Sequence, residues 1–136
     1  GLKWRGAYVA TKFALEGLTD VLRIEMADTP INVILIEPGP VTSSIRKNAI
    51  PHFEKWINWK ESARAAEYET LRERLYADSG PDTFELSASA VTKKLIHAAT
   101  AKHPRARYYV TMPTYLMGLL RRILSTRLLD AVISRA

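Results

Sequence analysis

A tyrosine and a lysine near the start of the chain have the types and the spacing of an acid–base pair. Tyr8 and Lys12 are four residues apart, so on a helix they lie one turn apart on the same face. An ammonium group beside a phenol favours the phenolate and makes the phenol proton easier to lose near neutral pH. Such a pair can act as the general acid or base of a reaction that interconverts a carbonyl and an alcohol. Taken alone the pair is weak evidence, because a surface lysine beside a packed tyrosine has the same spacing.

The elements around this pair have the pattern of an α/β fold. Residues 6–27 predict one long helix, and its apolar side chains cover most of the circumference, which predicts burial on more than one side. The helix ends before Pro30. The continuous apolar run Ile31–Ile36 predicts a strand covered on both faces, as in a parallel sheet, and residues 38–40 end it. Backbone groups at the carboxyl end of such a strand, beside Thr42, would suit a ligand.

Downstream of this unit the sequence predicts more helix than strand. Residues 43–85 are polar apart from a concentration of aromatic side chains, which are either core anchors or the lining of an apolar substrate pocket. Residues 113–136 form an amphipathic tail with interspersed arginines. The further predicted elements are a helix from Pro51 to about Ala77, a loop over 79–82, a helix over 87–101 that is capped by Ser87 or Ser89 and turns Val91, Leu95, Ile96 and Ala99 inward, and a strand over 107–111.

The positive charge of the chain is concentrated in its last third. The net charge is +6, and residues 93–136 hold nine of the 20 Lys/Arg residues but one acidic residue. A solvated helix face explains such a bias most simply, but the segment could also meet phosphate, nucleic acid or an anionic membrane surface. The alternative function is therefore a basic helical module without catalytic activity that docks on membrane or nucleic acid.

Several partners are disfavoured by composition. No nucleic acid is expected, because the basic residues are spread over two helices and a strand and no reading motif accompanies them. No metal is expected, since the chain has no cysteine and its three histidines lack ligand spacing. The longest apolar run of the tail, Tyr115–Leu120, is too short to span a bilayer, although the tail could lie on one.

Two stretches together closely resemble one enzyme family. Tyr8–Leu18, followed by Ile36–Thr42, is similar to the C-terminal half of a short-chain dehydrogenase/reductase. The resemblance is strongest over residues 6–44 and stays consistent in element order to about residue 112. It implies a Rossmann-like doubly wound parallel sheet, of which this chain would hold a helix-rich part with two short strands. It also implies hydride transfer between NAD or NADP and a carbonyl or alcohol.

The same resemblance assigns roles to single residues. Tyr8 matches the family's proton donor and acceptor, and Lys12 matches the residue that assists it and hydrogen-bonds the nicotinamide ribose. Further cofactor-binding residues follow the strand: Pro38 and Gly39 match the turn beside the nicotinamide, Val41 the backbone that bonds the carboxamide, and Thr42 the hydroxyl near the pyrophosphate.

The resemblance also divides the chain. Residues 1–112 would be the C-terminal half of the Rossmann domain, with 43–85 as its substrate-binding region, and 113–136 would be a separate basic helix. The substrate is expected to be a small lipophilic alcohol or ketone. We further expect a homo-oligomer in the cytoplasm, with peripheral membrane contact through 113–136.

Two features of the family are missing from the sequence. No glycine-rich phosphate loop is present, and none of the seven residues before Tyr8 is the serine that the family places upstream of its tyrosine. The chain is therefore interpreted as a fragment that is inactive by itself. If folded, it is expected to dimerise, because the strand 31–36 and the long helix would otherwise lack neighbours.

Overall fold

The computed structural model describes residues 4–77 and 83–134. Helices precede, separate and follow two strands along the chain, in agreement with the α/β prediction. They are α1 (Gly6–Glu25), β1 (Leu35–Glu37), α2 (Ile45–Trp56), a 3-10 turn (Trp59–Glu61), α3 (Ala65–Tyr76), α4 (Ala88–Thr100), β2 (Arg107–Tyr109), α5 (Met112–Ile123) and α6 (Thr126–Ser134). The predicted loop over 79–82 lies outside the described residues.

The two strands form a parallel sheet, which confirms the predicted fold class. Leu35 pairs with Arg107 and Glu37 with Tyr109. Parallel neighbours need a long crossover, and the helices between residues 45 and 100 supply it. β1 begins four residues later than predicted, and Ile31 is 59% exposed. The three residues of β1 are half-buried, and within the described chain the strand has a paired neighbour along one edge.

The core of the described chain is small. The buried apolar side chains are Phe53, Ala98, Tyr108 and Val110. The His97 ring of α4 lies 5.6 Å from the Tyr108 ring of β2, so this helix packs on the strand. α4 has nearly its predicted bounds, but Leu95, Ile96 and Ala99 are exposed, so the predicted inward face was wrong at these positions.

Helix α1 confirms the long helix predicted at the N-terminus, but not its burial. Leu18 is 64% exposed and Ile24 73% exposed. Thr19 is the buried residue of this helix. The prediction that α1 is buried on more than one side was wrong, because few helices and strands of the described chain pack against it.

Two predicted helices are broken in the structure. The helix expected from Pro51 to Ala77 is α2, the 3-10 turn and α3, because Ile57 and Ser62 are extended. The hydroxyl of Ser62 accepts a hydrogen bond from the Arg64 N–H at 3.1 Å, and such side chains compete with helical hydrogen bonds. The tail is likewise divided at Leu124, which is extended, and Ser125 is a favourable residue for starting α6.

Candidate active site

The predicted acid–base pair shares one face of α1. Lys12 Nζ lies 5.4 Å from the centroid of the Tyr8 ring, within the range of a cation–π contact. Tyr8 is 51% exposed, so a reactant could reach its hydroxyl. The Thr11 hydroxyl donates to the Tyr8 carbonyl at 2.7 Å within this turn. The helical spacing inferred from the sequence is thus present in the structure.

The arginine that joins α1 to the sheet was not among the predicted site residues. Arg107 Nη1 contacts Glu16 Oε2 at 3.0 Å and Glu37 Oε1 at 3.4 Å. Its Nη2 donates to both carboxylate oxygens of Asp20, at 2.7 and 2.8 Å. One guanidinium therefore connects α1, β1 and β2, and we call these four residues the Arg107 cluster.

Titration of the cluster follows from its contacts. Hydrogen bonds from Arg23 and Arg107 hold the pKa of Asp20 below its ordinary value. Partial burial, followed by the nearby charge of Glu16, raises the pKa of Glu37. Partial burial disfavours the charged form of Arg107, but its bonds to Glu16 and Asp20 outweigh this effect and raise its pKa. The cluster thus stays charged on Asp20 and Arg107 across the neutral range.

The same cluster ties α1 to the sheet at two points. The nitrogen that contacts Glu37 of β1 also contacts Glu16, whereas the other nitrogen contacts Asp20, one turn further along α1.

A close approach at the carboxyl end of β1 requires glycine. Gly39 has a φ of 74°, in the left-handed region that glycine adopts most easily. A Cβ at this position would overlap the hydroxyl oxygens of Thr111 and Thr114. Thr111 is fully buried, its N–H donates to the Pro38 carbonyl at 3.2 Å, and its hydroxyl lies 2.9 Å from that of Thr114. The start of α5 thus fixes what we call the Pro-Gly corner, residues 38–40.

The chain continues from this corner beside Leu86. The Leu86 N–H donates to the Pro40 carbonyl at 3.2 Å, and the Thr42 N–H donates to the Leu86 carbonyl at 3.0 Å. This is the pattern of a parallel bridge between Val41 and Leu86, in which the N–H and C=O of Val41 point away from Leu86. Among the residues that the structure describes, no hydrogen bond engages either group. The Thr42 hydroxyl reaches the Leu86 carbonyl at 3.4 Å.

The structure thus assembles the predicted site in two parts. Tyr8 and Lys12 meet on α1, and residues 38–42 are held together by α5 and Leu86. In the described part of the chain, no hydrogen bond, ion pair or ring contact joins the two parts.

Aromatic side chains from the predicted substrate region pack beside the N-terminal end of α1. The Tyr68 ring lies 5.5 Å from that of Trp4 and 6.3 Å from that of Phe53. We call these three residues the aromatic cluster. Because Trp4 is four residues before Tyr8, the cluster brings α2 and α3 to the end of α1 that carries the tyrosine.

The fold and these features define an α/β chain of the Rossmann-like type, with polar groups at the carboxyl end of a parallel strand. Residues 1–53 match a family model described as short chain dehydrogenase. The chain belongs to the short-chain dehydrogenase/reductase family, as its resemblance predicted.

Curated relatives match nearly the whole chain. The oxidoreductase YbbO of Escherichia coli (strain K12) is 34% identical over 129 residues, which are 95% of this chain and 42% of that protein. The probable short-chain type dehydrogenase/reductase VdlC of Helicobacter pylori (strain J99) is 34% identical over 127 residues, 93% of this chain and 44% of that protein. Retinol dehydrogenase 5 of Mus musculus is 30% identical over an alignment of 148 positions that covers 95% of this chain and 42% of that protein.

The chain spans less than half the length of these relatives. No solved structure matches it significantly. Across residues 4–77 and 83–134, none of the helices combines the length and the apolar character needed to cross a membrane.

Proposed function

We propose that this chain carries the acid–base part of an NAD(P)-dependent oxidoreductase that interconverts a carbonyl and an alcohol. The observation that carries the proposal is the Tyr8–Lys12 contact, an exposed phenol with an ammonium 5.4 Å from its ring centroid. Family membership supplies the context in which this pair has a chemical meaning.

In the proposed reaction Tyr8 moves the proton. The dinucleotide, when bound, supplies or accepts the hydride at carbon. During reduction the Tyr8 hydroxyl donates its proton to the substrate oxygen, and during oxidation the phenolate takes the proton back. The charge on Lys12 stabilises the phenolate in both directions.

One connection supports a common location for Tyr8 and the Pro-Gly corner. Arg107 joins α1, which carries Tyr8, to Glu37, the last residue of β1 before the corner.

The residues after β1 fit one end of a nicotinamide dinucleotide. Gly39 lets the Thr111 and Thr114 hydroxyls pack against the turn after the strand, which fixes the position of the residues that follow. The N–H and C=O of Val41 are the donor and acceptor that a carboxamide needs, and Thr42 adds a hydroxyl. We propose that Pro38, Gly39, Val41 and Thr42 hold the cofactor together with Tyr8 and Lys12, and that either NAD or NADP is used.

A lipophilic substrate agrees with the surroundings of Tyr8. The aromatic cluster offers apolar surface next to the end of α1 that carries Tyr8. One relative is named for retinol, an apolar alcohol. We propose an apolar alcohol or ketone as the substrate, with residues 43–85 forming part of its binding surface.

The activity is proposed for the parent protein rather than for these 136 residues alone. The chain contains neither a glycine-rich phosphate loop nor a serine before Tyr8. Without these groups a dinucleotide loses most of its phosphate contacts and the substrate oxygen loses a donor. We propose that the isolated chain does not turn over.

The basic docking module is the weaker alternative. Arg107 is engaged by three carboxylates, and the Arg121 guanidinium lies 4.1 Å from the centroid of the Phe13 ring. Arginines used inside the chain contribute less to a surface for membrane or nucleic acid.

The test is a pair of tyrosine substitutions in the parent protein. Tyr8→Phe is expected to lower kcat by about 10²–10⁴-fold, since it removes the proton donor. Tyr115→Phe is the control, because Tyr115 is likewise exposed, at 42%, and lies outside residues 43–85. Cofactor binding should persist in both variants, as measured by nicotinamide fluorescence. Turnover by Tyr8→Phe at close to the wild-type rate would exclude the proposed role of Tyr8.

A further inference from the structure

An open groove lies between α4 and β2, on a part of the chain that contains none of the predicted site residues. Its volume is about 690 Å³. Its polar lining is basic and aromatic and includes no carboxylate; the residues that matter are Lys93, Lys94, His97, Arg105, Tyr109 and Tyr115. A site lined by donors without acidic side chains favours an anionic occupant.

The positive charge of this basic groove is largely uncompensated. Arg107 also lines the groove, but three carboxylates neutralise it. Lys93, Lys94 and Arg105 form no ion pair within the residues that the structure describes. Lys94 Nζ instead donates to the Tyr115 hydroxyl at 3.5 Å. The groove therefore has several cationic donors available to a ligand.

A single buried hydroxyl holds the two walls of the groove in place. Tyr108 is 5% exposed, and its hydroxyl accepts a hydrogen bond from the Arg105 N–H at 3.1 Å. The same hydroxyl lies 3.0 Å from His97 Nδ1. Tyr108 thus fixes both the loop that carries Arg105 and the position of the His97 ring.

We propose that the basic groove binds a phosphate monoester. Lys93 and His97 are four residues apart on α4 and therefore share a face, while Arg105 comes from the opposite wall. Lysine and arginine donors from two walls of one cavity suit a dianion with several acceptor oxygens. A second copy of this chain is a poor occupant, because a symmetric contact would bring like charges together.

The organic part of the ligand would meet the aromatic wall of the groove. The rings of Tyr109 and Tyr115 lie edge to face with centroids 5.3 Å apart. They offer apolar surface beside the cationic donors. The phosphate can belong to a soluble phosphorylated molecule or to the headgroup of an anionic lipid, and both sources present the same group.

The test measures phosphate binding by the 136-residue chain. Calorimetric titrations with phenyl phosphate probe the soluble source. Co-sedimentation with phosphatidylcholine vesicles, with and without phosphatidic acid, probes the lipid source. Saturable binding in either arm is expected. The double variant Lys93→Gln, Arg105→Gln should weaken binding by roughly tenfold or more, because it removes two charge-assisted donors.

A matched variant separates the groove from the net charge. Lys102 is exposed, lies between α4 and β2 and does not line the groove. Lys102→Gln should change the affinity by less than about twofold. Absence of saturable binding in both arms would overturn the proposal. The proposal would also be overturned if Lys102→Gln lost as much affinity as the single variants Lys93→Gln and Arg105→Gln. Neither result bears on Tyr8, so the proposed catalytic function can fail or survive independently.

Discussion

Replacing Gly39 by alanine should be among the most damaging single changes in the described chain. The backbone at φ 74° costs an L-residue about 1–2 kcal/mol. The added Cβ would overlap Thr111 and Thr114 at a position where Thr111 is fully buried, and overpacking of this kind costs about 1–3 kcal/mol. The expected loss is therefore about 2–5 kcal/mol in the free energy of unfolding, a large part of the total for an ordinary domain.

The assay is urea unfolding followed by circular dichroism, with a second glycine as the control. Gly17 lies in the middle of α1, and a Cβ there would meet no heavy atom within 4 Å. Gly17→Ala should therefore raise the free energy of unfolding by about 0.5–1 kcal/mol, the helix propensity difference.

A double substitution separates the two causes of the loss at Gly39. Thr114→Ala removes one of the overlapping hydroxyls and leaves the backbone conformation unchanged. In the Gly39→Ala background this second change should recover part of the loss, and the coupling free energy measures the overlap. If Gly39→Ala lowers the free energy of unfolding by less than about 0.5 kcal/mol, the packing of the Pro-Gly corner against α5 has been misread.

Two other predictions concern acid sensitivity and association. The pKa of Asp20 is lowered in the folded chain, so this carboxylate stabilises the fold above its ordinary pKa of 3.8 and ceases to do so as the pH falls through the folded pKa. The urea concentration at the unfolding midpoint should therefore decrease once the pH is below about 4. This decrease should be smaller in Asp20→Asn. Leu18 and Ile24 are exposed on α1, so the chain should sediment as a dimer at micromolar concentration. Leu18→Glu should shift the dimer to monomer. A compact wild-type monomer in the ultracentrifuge would contradict the prediction of a dimer.

The parts of the fold that the sequence predicts well are those set by local pattern. The long N-terminal helix and α4 follow from helical periodicity and from the prolines that bound them. The parallel pair follows from two short apolar runs separated by helices. The Tyr8–Lys12 contact depends on spacing within one helix, so it too could be predicted before any tertiary structure was known.

The breaks in the helices were not predicted, because they depend on weak local competition. Apolar periodicity continues across Asn58 and Ser62, but both can satisfy backbone groups outside a helix, and the chain is extended at Ser62. In the tail the chain is extended at Leu124, directly before Ser125. A hydrophobic pattern alone does not reveal these helix ends, because each local hydrogen bond that ends a helix changes the free energy by only about 1 kcal/mol.

The contacts that assemble the site join residues far apart in the sequence. Arg107 was counted as one of nine basic residues in the last third, yet it binds Asp20 and Glu16 of α1. The signal available in the sequence was the pair of carboxylates at helical spacing, four residues apart. Which cation would meet them depends on the sheet register, and therefore on the tertiary structure.

The basic residues of the last third lie in different parts of the structure and make different contacts. Arg107 and Arg121 face α1, where the first binds carboxylates and the second lies over the Phe13 ring. Lys93 and Arg105 instead line the basic groove. The start of α5 also holds the Pro-Gly corner through Thr111 and Thr114. A segment with these contacts shapes the proposed cofactor end of the sheet, so its charge alone is a poor guide to what it does.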